Sequence, residues 1–154
     1  MKKILLITII TVPFLAFGQQ YNTGIGIIIG FPTGFSGELV WSENSAIVFN
    51  AGWSLRENYG LHVTGTYQFM FPGVIKTEEG KALRQVVPYL GIGGRLLLEE
   101  KDDDTDVHIG LRTGGGIEYF VERFGLFLEL YPVVDVVPGT DLDFEAGIGF
   151  RFYF

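Results

Sequence analysis

The chain has no cysteine in its 154 residues. That excludes disulfides, thiolate metal centres and a lipid-anchored N-terminal cysteine together. It also suits a chain exported through an oxidising compartment, where free thiols are a hazard. Long runs of helix-forming residues are missing, so no segment offers the crossover helix that a parallel sheet needs. Basic residues are scarce. Without Lys2 and Lys3, nine Lys and Arg face eighteen Asp and Glu, a net charge of −9. That sign disfavours a nucleic-acid partner.

The first stretch, MKKILLITIITVPFLAFGQQ, reads as an export address. Lys2 and Lys3 form its positive start, and Ile4 to Phe17 is apolar apart from two threonines. Ala16-Phe17-Gly18 supplies small residues for a signal peptidase. The apolar run is 14 residues long, whereas a membrane-spanning helix needs about 20. Cleavage is expected after Gly18, which divides the chain into a signal peptide (1–18) and a barrel domain (19–154).

What is present is glycine, 22 residues, and a recurring unit of about ten alternating residues followed by a polar break. A period of two marks a strand with one side-chain set on each face. Eight units are read: 22–30, 34–42, 46–55, 59–71, 86–99, 107–120, 124–136 and 142–154. The breaks are short, as antiparallel hairpins require. Only 72–85 is long, and there the fourth and fifth strands are expected to extend and turn at Glu78-Glu79-Gly80.

Sorting each unit by parity separates two faces. One is apolar, with members such as Ile25, Ile27, Phe35, Trp41, Phe49, Leu55, Leu90, Leu128, Ile148, Phe150 and Phe152. The other carries Glu38, His62, Gln68, Arg95, His108, Arg112, Glu118, Glu129, Asp135, Asp143, Glu145 and Arg151, padded with glycine. A soluble sandwich or lipocalin-like barrel would bury the apolar face. Three features oppose that. Lys76, Lys81 and Lys101 all fall in breaks, and the polar face uses arginine, whose planar fork suits enclosed ion pairs. Its glycines make room where long side chains meet in a narrow lumen. The aromatics Trp41, Tyr67, Phe69, Tyr119, Phe124, Phe152 and Phe154 sit near unit ends, where a membrane barrel carries its interfacial girdles. The expected fold is all-β: an eight-stranded antiparallel up-and-down transmembrane barrel. Its last strand closes onto the first, because hydrocarbon tolerates no open edge.

Three stretches carry a family resemblance: GIIIGFPTGFSGELVWSENSAIVFNAGWSL, VPYLGIGGRLLLEEKDDDTD and ELYPVVDVVPGTDLDFEAGIGFRFYF. They resemble a family of small outer-membrane barrels with spirochaete and other Gram-negative members, similar in architecture to the eight-stranded OmpA and OmpX type. The resemblance implies location in the cell outer membrane, contact with its lipids, and no catalytic residues to carry over. The strand ending at Phe154 likewise resembles the signal read by the barrel assembly machinery.

The polar face is read as a lumen network. An eight-stranded barrel is just wide enough for side chains to fill, and buried charges must be paired. A salt-bridged, non-conducting plug is therefore expected, with Arg151 reaching Glu38 or Glu129. Catalysis is not expected. His62 and His108 have only Thr64 and Thr66 as nearby hydroxyls, and no GxSxG motif appears. Asp102, Asp104 and Asp106 are spaced like the start of a calcium loop, but Val107 and Thr113 occupy the places of its glycine and glutamate. They are weak metal candidates, in a solvated loop. No cofactor is expected. The role read is structural, or interaction with a surface ligand through loops 100–106 and 137–141, as a monomer. A narrow gated pore and a lipid-modifying enzyme are the alternatives.

Overall fold

The computed structural model describes residues 22–53 and 60–154. The expected signal peptide and Leu55 lie outside them. Eight strands follow one another: β1 (Thr23–Gly30), β2 (Thr33–Ser42), β3 (Ser45–Trp53), β4 (Leu61–Met70), β5 (Val86–Lys101), β6 (Asp104–Val121), β7 (Phe124–Val137) and β8 (Asp141–Tyr153). Each pairs antiparallel with the next, and β8 pairs with β1, setting Phe150 against Ile27 and Gly147 against Gly30. The result is a closed up-and-down barrel. The start of β1, the end of β8 and the connections 42–45, 70–86 and 121–124 share one end, the terminus end. The connections 30–33, 101–104 and 137–141, with the end of β3 and the start of β4, share the other, the loop end.

Two connections differ from expectation. The stretch 101–106 is no loop. Lys101 is the last residue of β5, and the ladder runs on through Glu99 with Asp106, Glu100 with Thr105 and Lys101 with Asp104. Asp102 and Asp103 alone make the turn, both at positive φ (43° and 73°). This part of the hairpin is exposed on both faces, so side-chain parity no longer marks the strand although backbone pairing continues. At 72–85 the expected extension fails. Pro72, which has no N–H to donate, and Gly73 at φ 77° interrupt the ladder after Met70. Beyond them lies a separate small hairpin with one bridge, Lys76 with Ala82. Its tight turn does fall at Glu78-Glu79-Gly80, held by the bond from Gly80 N to Thr77 O (2.8 Å).

The parity assignment is met on the outer face. Ile25, Phe35, Phe49, Leu90, Leu111, Leu128 and Ile148 all stand exposed there. The seven aromatics expected near strand ends are exposed too, and all seven gather at the terminus end, where Phe124 packs against Phe152 at 5.3 Å. Trp53 and Phe144 mark the loop end. The inner face is less purely polar than expected. Ile28, Val48, Leu97, Phe127 and Val133 are buried on it, and Ala46, Met70, Val87, Tyr89 and Tyr131 form an apolar cluster towards the terminus end.

Candidate functional site in the barrel lumen

Alternation delivers the charged side chains to the lumen, and glycines opposite them give the room. A Cβ on Gly125 would strike the Glu118 carboxylate and the Tyr153 ring, and one on Gly110 would strike Asp135. The charges then form three tiers along the barrel axis, each centred on an arginine.

The tier nearest the terminus end is built on Arg151, which is fully buried. Its Nη1 donates to Glu38 Oε2 at 2.6 Å and to Glu118 Oε2 at 3.2 Å, and its Nε donates to Ser36 Oγ at 2.9 Å. The Tyr153 hydroxyl lies 2.6 Å from Glu118 Oε1 and 3.0 Å from Glu38 Oε2. Beneath the guanidinium, the Phe127 ring centroid is 3.9 Å away, a cation–π contact that supplies attraction without a further counter-charge.

In the middle tier, Arg112 Nη2 lies 3.4 Å from Glu129 Oε1, and its Nη1 lies 3.4 Å from Glu145 Oε2. Its guanidinium stacks 3.9 Å from the Tyr131 ring centroid. Tyr89 donates to the other Glu129 oxygen at 3.3 Å.

Towards the loop end, Arg95 holds Asp135 in a two-point grip, Nε to Oδ1 at 3.0 Å and Nη2 to Oδ2 at 2.6 Å. Paired hydrogen bonds of this kind are the strong, directional form of the contact. The remaining Arg95 nitrogen reaches Asp143 at 2.9 Å and Glu145 at 3.3 Å. His62 Nε2 meets Glu145 Oε1 at 2.7 Å, with its ring edge-on to Phe31. Glu145 thus links the upper two tiers. His108 sits between Asp135 (3.6 Å) and Glu99 (3.8 Å), too far for hydrogen bonds.

No family profile matches the chain, and no curated protein matches it by sequence. Among solved structures, the barrel is similar to the crystal structure of the N-terminal β-barrel domain of Pseudomonas aeruginosa OprF. The TM-score is 0.63 at 18% identity, over 86% of this chain and 95% of that one. The likeness is one of fold.

Every residue expected in the lumen network lies on the inward face, with His108 and Asp143 partly exposed near the loop end. Glu38 is the partner of Arg151 as expected, whereas Glu129 belongs to Arg112. Sequence reasoning missed Ser36, Tyr89, Tyr131, Tyr153 and the Phe127 ring. Each shares the parity of a charged neighbour on its own strand, and that signal alone would have placed them. Asp102, Asp104 and Asp106 do not converge. Among the described residues, no group of three or more His, Asp or Glu side chains is placed to hold a metal ion. The Thr64 and Thr66 hydroxyls are buried and hydrogen-bond to none of the described residues.

Proposed function

We propose that this chain is an outer-membrane β-barrel whose lumen is sealed by ion pairs, with a structural or surface-interaction role and no catalysis. The observation that carries the reading is the inversion of its two faces. All eight strands turn apolar side chains outward, while three arginines and five carboxylates are enclosed inside. In water such an exterior would be one continuous apolar patch, far larger than soluble monomers expose. In a bilayer it is the expected lipid face, with the aromatics at its edge. The export-like N-terminus and the fold shared with the OprF barrel domain support the same location. Contacts with outer-membrane lipids, delivery by the barrel assembly machinery and a monomeric state belong to this reading. So does recognition of a surface ligand at the acidic loop end.

Insertion of the purified protein into a planar bilayer tests the seal. The expected record is flat at all voltages tried. Steady or gated conductance would replace the sealed barrel with a pore. Lipid A from a deletion strain should keep its mass; a missing modification would instead make the barrel a lipid-modifying enzyme.

A further inference from the structure

The β4 wall of the lumen differs from the charged walls. Its inward residues run from His62 near the loop end through Thr64, Thr66 and Gln68 to Met70 at the terminus end. Thr64, Thr66 and Gln68 are almost wholly buried; the two hydroxyls have no hydrogen-bond partner among the described residues, and the Gln68 amide faces the Tyr131 hydroxyl without a well-aligned bond. Asn50, the β3 neighbour of Thr64, leaves its Oδ1 unpaired as well. From across the lumen the Tyr131 hydroxyl is aimed at the same wall. A Cβ on Gly91 would strike both that hydroxyl and the Thr66 methyl, and the hydroxyl's neighbour, Gln68, does not meet it in good hydrogen-bond geometry.

Buried hydroxyls and amides are paired in folded proteins, with protein or with ordered water. Five buried side chains along one wall that lack a well-aligned hydrogen bond therefore describe a place for water, which bonds to two to four polar groups when buried. The set suits water better than an ion, since it mixes donors with acceptors and carries no charge. Towards the loop end it meets His62, whose Nδ1 is unpaired while its Nε2 holds Glu145. Towards the terminus end it stops at Met70, which is packed with Ala46, Val87 and Tyr89.

We infer that the β3–β4 side of the lumen encloses a chain of hydrogen-bonded waters running from Gln68 to the His62–Glu145 pair, dead-ended by an apolar septum at Met70 and Val87. The inference rests on the sealed membrane barrel proposed above, and adds what seals this side of it. A water chain hands protons along by exchanging hydrogen bonds, each water giving up one proton as it gains another. A thioether and a pair of methyls offer no such exchange, and an apolar constriction excludes water by dewetting. On this side it is the septum, and not an arginine, that keeps the barrel proton-tight.

Two measurements test this. In lipid nanodiscs, the Gln68 side-chain amide protons should show magnetisation transfer from long-lived water, lost in Gln68→Leu while the rest of the barrel spectrum is retained. A wild-type amide without that transfer overturns the water chain. In liposomes with a trapped pH dye, wild type should be proton-tight, and Met70→Ser combined with Val87→Ser should raise proton flux by about tenfold or more without potassium conductance. A folded double variant that stays proton-tight overturns the septum. Should the double variant not fold, Val87→Ser alone is read the same way. Ion conductance in the wild type would sink the sealed barrel itself, a different failure.

Discussion

Arg151 on β8 and Glu38 on β2 are joined at 2.6 Å although β1 lies between their strands. The contact is possible because β1 offers Gly24 and Gly26 on its inner face. Gly26 pairs with Arg151 on one side and with Ser36 on the other, and the guanidinium crosses it to bond Ser36 and Glu38. The Tyr153 ring lies so close over Gly24 that a Cβ there would collide with it. Two side chains of the last strand thereby clamp the second across the first. The closure seam is fastened from inside as well as by its backbone ladder.

Removing the clamp should loosen the barrel. Arg151→Ala leaves Glu38 and Glu118 buried without their shared cation, and breaking a buried pair costs about 3–5 kcal/mol. The expected outcome is a lower urea midpoint for the variant folded into lipid vesicles. Adding Glu38→Gln should restore part of the loss, since both changes act on one interaction. The recovery should be incomplete, because Glu118 keeps its charge. An unchanged midpoint would place Arg151 in open water.

On the outside, Ile148 pairs with Ile29 on β1 and Leu128 on β7, in the middle of the apolar belt. Ile148→Arg sets a charge at that depth and should cost about 2–4 kcal/mol when folding is measured in lipid. The outward neighbour Leu142 lies at the loop-end margin of the same strand, so Leu142→Arg should cost about 1 kcal/mol or less. Equal costs at both positions would argue against a bilayer around the barrel.

The strands were legible because one of the two faces is almost free of polar residues: Phe150 and Phe152 against Arg151 leave only one reading of the last strand. The pairing of charges was not legible. It depends on how far each strand is sheared around the closed barrel, so Glu38 and Glu129 were equal candidates for Arg151 until the register set Gly26 beside it. Tyr89, Tyr131 and Tyr153 escaped because a tyrosine fits either face, its ring apolar and its tip polar. Met70 and Val87 escaped for the opposite reason, since an apolar side chain at an inward position gives no polar signal. The β5–β6 hairpin ran past its expected end because above the belt both faces meet water.

Glycine in the lumen should resist enlargement. A methyl at Gly91 would meet the Tyr131 hydroxyl and the Thr66 methyl in a fully enclosed space. Overpacking of this kind costs about 1–3 kcal/mol, so Gly91→Ala should lower the urea midpoint accordingly. Tyr131→Phe removes the hydroxyl that stands in the way, and the double variant should regain part of the loss. Additive losses would mean that the two groups do not meet.

The hairpin at the loop end should accept glycine where the lumen rejects a methyl. Asp102 and Asp103 both hold positive φ, the signature of a two-residue turn whose twist matches its strands and whose favoured second residue is glycine. A left-handed backbone costs an ordinary side chain about 1–2 kcal/mol, and aspartate tolerates it better than most. Asp103→Gly should therefore stabilise the folded barrel by up to about 1 kcal/mol, the lower end of that cost. The same geometry separates the aspartates that a calcium loop would gather, with Asp104 set against Lys101 and Asp106 against Glu99. Calcium should accordingly shift the midpoints of wild type and Asp104→Ala equally or not at all. A calcium-dependent gain confined to the wild type would mean that the hairpin opens to bind the ion.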